Sequence, residues 1–215
     1  PEDFSFGELP EDIDHFEPYL MNAIKRIPDL EKVGIRKFFN GPESFTPDTN
    51  YLLGETSEVK KLFVCCGFNS IGIVSSGGAG KITAEWMING EINEDIFSLD
   101  ITRFEKFHSE TKFITERVTE TLGNLYAMHW PYKQLKTSRN QKLLPYHNYL
   151  QSKGACFGQV AGYERPMWYA LPGNEAKYDY SFGYQNWYKS AKFETINARK
   201  NVGLFELSTF AKFEL

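Results

Sequence analysis

The sequence predicts an α/β fold that becomes α+β in its second half. Two observations carry this. A short, strongly apolar run, Lys61-Leu62-Phe63-Val64-Cys65-Cys66-Gly67-Phe68, is followed by a small-residue stretch and then by helical spacing, the order of a strand, a loop and a helix. After Ile101 the texture changes, and charged helical spacing gives way to Gly- and aromatic-rich segments. With 41% hydrophobic and 24% charged residues over 215 positions, the chain can bury a core without disulfides or a structural metal. The formal charge of −4 argues against nucleic acid or an anionic membrane as the main partner, since either attracts a basic face. No apolar stretch approaches the roughly 20 residues of a membrane span.

The elements follow in order. Residues 10–30 read as a helix, opened by Pro10-Glu11-Asp12, carrying Ile13, Phe16, Leu20, Ala23, Ile24 and Ile27 at spacings of three and four, and closed by Pro28. Residues 33–40 alternate as a strand, 41–48 form a loop pinned by Pro42 and Pro47, and 51–54 form a short strand. The run 61–68 reads as a strand buried on both faces, as in a parallel sheet. A loop over 69–80 leads to a helix over 79–90 with Gly90 as its C-cap. Residues 103–122 read as one charged helix, 143–152 as a short periodic piece, 154–158, 162–169 and 183–188 as loops, and 189–200 as a mildly basic helix. The apolar, partly alternating residues 202–215 predict a strand cut off while still pairing.

The chain opens Pro1-Glu2-Asp3-Phe4, with neither an initiator Met nor the pattern of a signal peptide, so it reads as a piece of a longer protein. Its three cysteines, Cys65, Cys66 and Cys156, make no disulfide framework and predict buried thiols in a reducing compartment. His15, His108, His129 and His147 lack metal-ligand spacing, so no metal site is expected.

The glycine-rich stretch after the apolar strand is the main candidate for chemistry. Such a turn presents backbone N–H groups and the positive end of a helix dipole, which suit a phosphate or an anionic ring oxygen. Named phosphate motifs do not match: Ser75 stands where the first P-loop glycine belongs, and Thr83 where the last glycine of the dinucleotide fingerprint belongs. No Gly-x-Ser-x-Gly elbow is present. The alternative is that these glycines only let helix and strand pack closely.

Gly67-Phe68-Asn69-Ser70-Ile71-Gly72, Gly77-Gly78-Ala79-Gly80 and Ala84-Glu85-Trp86-Met87 together resemble the C-terminal flavin-contacting segment of FAD-dependent amine oxidoreductases, the sarcosine and dimethylglycine dehydrogenases above all. The resemblance continues in the family's order. Asn40-Gly41-Pro42-Glu43-Ser44-Phe45-Thr46-Pro47-Asp48 is similar to the preceding loop, and Asp100-Ile101-Thr102-Arg103-Phe104 to the exit from the oxidoreductase domain. Gly162-Tyr163-Glu164-Arg165-Pro166 and Asn186-Trp187-Tyr188 resemble the central linker domain. The run from Val202-Gly203-Leu204-Phe205 to Lys212-Phe213-Glu214 resembles the opening of an aminomethyltransferase-like folate domain.

The resemblance implies the C-terminal part of a glutathione-reductase-like FAD domain over 1–104, a mixed linker domain over 105–200, and the start of the folate domain over 201–215. It implies FAD and tetrahydrofolate as cofactors, a small methylated glycine as substrate, and oxidative N-demethylation as the reaction. Gly67, Phe68, Asn69, Ser70, Ile71 and Gly72 would run under the flavin, joined by Gly77 and Gly78. Aimed backbone dipoles there would stabilise charge on the reduced ring. Glu43, Phe45 and Thr46 would lie on the substrate side, Glu43 toward a cationic amine and Phe45 toward N-methyl groups; the alternative is a proline-fixed loop with a solvated Glu43. Related oxidases carry a basic residue just after the glycine turn, whereas Ile73-Val74 stands here. The catalytic residues and the flavin's covalent histidine would lie upstream, in the remainder of the polypeptide, and the electron acceptor is unassigned. Trp130, Trp168 and Trp187 read as packing for a loop-rich domain, with folate stacking as the alternative. The expected compartment is bacterial cytoplasm or the mitochondrial matrix. The pyruvate dehydrogenase phosphatase regulatory subunit shares the architecture, so a non-catalytic regulatory homologue is the alternative reading.

Overall fold

The computed structural model describes residues 7–214; the opening Pro1-Glu2-Asp3-Phe4 and the final Leu215 lie outside them. The first helix, α1, spans Ile13–Arg26, with the Asp12 carboxylate accepting from the His15 N–H at 2.9 Å and Lys25 and Arg26 in the last turn. A 3₁₀ turn over Pro28–Lys32 follows. Residues 33–40, expected as a strand, form no ladder. They touch the chain near Leu9 by single bonds, the Leu9 N–H to Asn40 O at 2.7 Å and Asn40 Nδ2 to Pro10 O at 2.7 Å. Alternation alone does not make a strand without a neighbour to pair with.

Strands β1 (Leu52–Glu55) and β2 (Phe63–Cys66) form an antiparallel pair with Leu53 opposite Cys65. On its other side Leu53 makes a parallel bridge to Asp100, its N–H donating to Leu99 O at 2.9 Å. Helix α2 (Gly72–Asn89) covers the pair, and Leu53, Ala79 and Ile96 form a buried core joined by Tyr51, Phe68, Ile82, Trp86 and Leu99. A Cβ on Gly54, whose φ is +115°, would stand 2.5 Å from Trp86 Cζ3, so only glycine allows the indole to lie this close. Gly90 closes α2 in the left-handed conformation, its N–H donating to Trp86 O at 2.9 Å, as the sequence predicts.

Two expectations change here. The apolar strand is not buried on both faces: β2 pairs only with β1 among the described residues, and Cys65 and Cys66 are exposed. Helix α2 starts at Gly72, seven residues before the expected start at 79, so the loop shrinks to 67–71. Glycine and serine lower helix propensity here, and the helix is held by tertiary packing, with Ala79 buried and Ile82 and Trp86 packed around it.

The single helix expected over 103–122 is divided into 3₁₀ turns at Ile101–Arg103 and Lys106–Ser109 and α3 at Thr111–Leu125. His108 Nδ1 accepts the Glu105 N–H at 2.9 Å and its ring stacks on Phe107, which fixes the second turn before α3 begins. The segments 154–158 and 162–169, expected as loops, are instead the main sheet. Strands β3 (Lys142–Leu143), β4 (Ala155–Val160) and β5 (Tyr163–Tyr169) lie in the order β3-β5-β4, with α4 (His147–Ser152) before the hairpin. Pro166 is tolerated because β3 pairs only with Tyr163 and Glu164, leaving the missing N–H beyond that ladder. Helix α5 (Tyr188–Lys200) forms where a helix over 189–200 is expected, and it packs on β5. Residues 202–214 form no strand, and Val202, Leu204 and Phe213 are exposed. Trp168 is buried in a nest with Tyr178, Tyr180 and Trp187, whereas Trp130 stays half-exposed against Phe182. Cys156 is buried, which pushes its thiol up to about 11.

Fully buried Glu164 holds this half together. It accepts from Arg139 Nε at 2.8 Å, from the Asn140 N–H at 2.9 Å and from Gln159 Nε2 at 3.1 Å, and pairs with Arg139 Nη2 as well. Burial alone would raise its pKa, but Arg139 and the other donors hold it below the usual carboxylate range. Arg139→Met is expected to cost about 3–5 kcal/mol in urea unfolding, because it leaves a buried carboxylate unpaired. Because the Glu164 pKa is lowered on folding, its contribution is present above the ordinary carboxylate value. It fades as pH falls through the lowered one, so the gap between wild type and Glu164→Gln should narrow in acid.

Candidate functional site

The turn between β2 and α2 is shaped by positive φ angles at Gly67 (68°), Asn69 (48°) and Ser70 (68°). A Cβ on Gly67 would meet Thr46 Cγ2 at 2.9 Å, so the turn and the 43–50 loop approach through bare backbone. Asn69 is buried and joins the two. The Thr46 N–H donates to Asn69 Oδ1 at 2.8 Å, Asn69 Nδ2 donates to Gly67 O at 2.6 Å, and the Asn69 N–H donates to Ser44 O at 3.2 Å. Thr46, also buried, closes its own loop by donating from Oγ1 to Asn50 O at 2.8 Å. At the rim, Ser70 Oγ donates to Glu43 Oε2 at 2.5 Å.

On the far side of the 43–50 loop, Arg103 forms a two-point ion pair with Asp48, Nε to Oδ2 at 2.7 Å and Nη2 to Oδ1 at 3.1 Å. Its remaining N–H groups donate to Leu99 O, Asp100 O and Asn50 O at 2.8, 3.0 and 2.9 Å. Two cavities, of about 570 and 680 Å³, flank this pair. Phe45, Thr46, Leu52 and Ile101 line the larger, and Asp48, Arg103, Arg117 and Lys142 the smaller; Phe104 and His108 line both. Burial holds His108 below its ordinary pKa, so it is neutral near pH 7, and since Nδ1 accepts from Glu105 its proton belongs on Nε2.

The first turn of α2 has no side-chain cap. Ile71 occupies the N-cap position, and the Ser75 N–H is the donor that reaches back to Ile71 O, at 3.0 Å. The N–H groups of Gly72, Ile73 and Val74 therefore lack a capping partner, and Ile73 and Val74 are 98% and 81% exposed.

The structure brings Glu43 and Thr46 beside the 67–72 turn, with Phe45 between them in the chain. Phe68 turns inward and stacks on Tyr51, ring centroids 4.7 Å apart, so it is a core residue. Gly77 and Gly78 lie inside α2 rather than in a loop, on its outer surface where an added Cβ meets nothing within 4 Å. Asp48, Asn50 and Arg103 had no role in the sequence reading. Asp48 and Arg103 stand 55 positions apart, and no local spacing signals that they meet.

Residues 2–86 match the FAD dependent oxidoreductase family, residues 89–143 the FAD dependent oxidoreductase central domain, and residues 146–215 the GCVT N-terminal domain. The chain belongs to the FAD-dependent oxidoreductase family of the sarcosine and dimethylglycine dehydrogenases. It is 46% identical over 210 residues to 4-methylaminobutanoate oxidase (formaldehyde-forming) of Paenarthrobacter nicotinovorans, covering 98% of this chain and 26% of that protein. It is 35% identical to the mitochondrial pyruvate dehydrogenase phosphatase regulatory subunit of Mus musculus, over 96% of this chain and 24% of that one. Mitochondrial sarcosine dehydrogenase of Mus musculus is 34% identical, over 99% and 26%. The chain thus spans about a quarter of the length of the curated relatives it matches.

For a family of flavin proteins the residues present fit the edge of a flavin ring. An uncapped helix start, exposed and free of side-chain charge, stands beside a turn in which glycine keeps the backbone bare. Two substitutions separate the forced glycine from the permissive one. Gly67→Ala is expected to lower stability by about 1–2 kcal/mol from the left-handed φ alone, with more from the contact to Thr46. Gly77→Ala, in open space on a helix, is expected to raise it by up to about 1 kcal/mol. Thermal unfolding of the two variants checks both.

Proposed function

We propose that the whole protein is a flavoprotein that oxidises a small N-methylated amino acid, and that this chain supplies one wall of its flavin site. The observation that carries the reading is the pairing of the uncapped α2 start with the Asn69-tied 43–50 loop. The residues that would hold FAD are Gly67, Asn69, Ser70, Ile71 and Gly72. When bound, FAD supplies the two-electron acceptor for hydride from the amine carbon. The first-turn N–H groups of α2 direct partial positive charge toward whatever anionic edge lies against them. Gly67 and Gly72 keep side chains out of that approach.

Glu43 offers a carboxylate to a cationic amine, and Phe45 an apolar face to its N-methyl groups. Gly77 and Gly78 leave the outer surface of α2 bare for close approach of the rest of the polypeptide. Ile73 and Val74 carry no charge, so the substrate carboxylate is held by a residue elsewhere. The match of residues 146–215 to the GCVT N-terminal domain supports tetrahydrofolate as the carrier of the released carbon. We take residues up to about 104 as the flavin-side unit, supported by the Leu53–Asp100 bridge and the Asp48–Arg103 pair. For the second boundary we favour about 145, where the GCVT match begins, over the 200 expected from the motifs. Among the described residues no helix is long and apolar enough to cross a membrane. Bacterial and mitochondrial relatives support bacterial cytoplasm or mitochondrial matrix as the compartment.

A regulatory protein without turnover is the second reading, favoured by the 35% identity to the phosphatase regulatory subunit. The full-length protein decides between them. The enzyme reading expects a flavin absorbance spectrum that bleaches anaerobically on adding sarcosine, dimethylglycine or 4-methylaminobutanoate. A bound flavin that none of these amines reduces would support the regulatory reading, and absence of flavin would sink the first.

A further inference from the structure

The 43–50 loop is held from both sides by side chains distant from it in sequence. On one side Asn69, in a left-handed conformation that an L-residue adopts only at a cost, accepts the Thr46 N–H of the loop at Oδ1 and ties Nδ2 to Gly67 O of its own turn. On the other side Arg103, with a side chain 8% exposed, grips Asp48 with two N–H groups and Asn50 O with one, while two more bonds fix it to Leu99 O and Asp100 O. The Asp48 carboxylate in turn accepts the Asn50 N–H at 3.2 Å. The loop therefore has few soft degrees of freedom between Thr46 and Asn50. A bidentate guanidinium–carboxylate pair fixes direction as well as distance.

We propose that Asn69 and the Asp48–Arg103 pair act together as a clasp of positioning residues, holding the substrate-side loop in one register against the flavin-side turn. The clasp rests on the flavin reading above. Its chemical sense is that hydride transfer demands a donor carbon and an acceptor ring at near-contact distance, and displacement by about 1 Å can cost roughly a hundred-fold in rate. Glu43, Phe45 and Thr46 can meet an amine at a fixed place only if their loop does not drift from Gly67 and Ser70. Arg103 sits in the 3₁₀ turn that leads into the second half of the chain, so the clasp also ties the loop to the junction between halves.

Two measurements test it. In the full-length flavoprotein, Asp48→Ala and Arg103→Gln are each expected to retain bound flavin but to slow its anaerobic reduction by sarcosine roughly a hundred-fold. Because the two side chains form one device, the double variant is expected to be no slower than the worse single one. Multiplying effects, or an unchanged reduction rate, would overturn the clasp. Independently of any turnover, hydrogen exchange is read at the amides of Thr46 and Asn50. Asn69→Ala is expected to speed Thr46, and Asp48→Ala to speed Asn50, by about tenfold or more, with the β4–β5 hairpin unchanged as the control for folding. Unchanged exchange at both amides would overturn the proposal even if the protein proves to be an oxidase. Faster exchange in a protein whose flavin no amine reduces would sustain the clasp and sink only the function reading. Should Arg103→Gln fail to fold, Asn69→Ala and Asp48→Ala carry the test alone.

Discussion

Leu53 is the residue on which the first half of the chain depends. It is fully buried, and its position in β1 makes it the meeting point of stretches that are distant in sequence: Cys65 across the ladder, Leu99 and Asp100 on the opposite edge, and Ala79 from α2 above. A two-stranded ribbon in water is marginal by itself. Here the bridge to Asp100 and the helix laid over Leu53 supply the missing neighbours. Since α2 is placed by this contact, so is its uncapped first turn, and so is the glycine turn that feeds it.

Both halves of the chain use the same device to hold irregular backbone. In the first, Arg103 joins Asp48 and three carbonyls; in the second, Arg139 joins Glu164 and the carbonyls of Leu135 and Phe157. A planar guanidinium has enough donors to satisfy a carboxylate and several orphan carbonyls at once. That is why loops with little regular secondary structure can be rigid here. The carboxylates of α3 do similar work from the other direction, Glu120 accepting the N–H groups of Lys136 and Thr137. The candidate site stands apart from this pattern at its rim, where backbone donors of α2 and the Glu43–Ser70 contact face outward.

How much was legible varied by element for physical reasons. Helix α1 declares itself through its cap, spacing and terminal charges, and α5 through its basic last turn, which are local signals. The Gly90 cap is equally local. The β4–β5 hairpin was hidden because Gly158, Gly162 and Pro166 are the residues that ordinarily interrupt strands. Gly158 is needed where Met167 and Gln134 press within 3 Å of an added Cβ, and Pro166, opposite Phe157 of β4, lies past the end of the β3 ladder. The converse error fell on residues 33–40 and 202–214, whose alternation promised strands that find no partner among the described residues.

The residues themselves determined which groups stand in the 43–48 and 67–72 segments, and through their order the family to which the chain belongs. Glycine, asparagine and proline at those positions also determined that the backbone there could turn tightly. Only the tertiary structure decided that the two segments touch, that Asn69 makes the buried join and Ser70 the one at the rim, and that Arg103 reaches back 55 positions to Asp48. The reason is that hydrogen-bond and ion-pair geometry is set where the chain returns on itself. Composition and spacing record what a segment can do, while the partner that uses it is chosen by the packing of Leu53, Ala79 and Ile96.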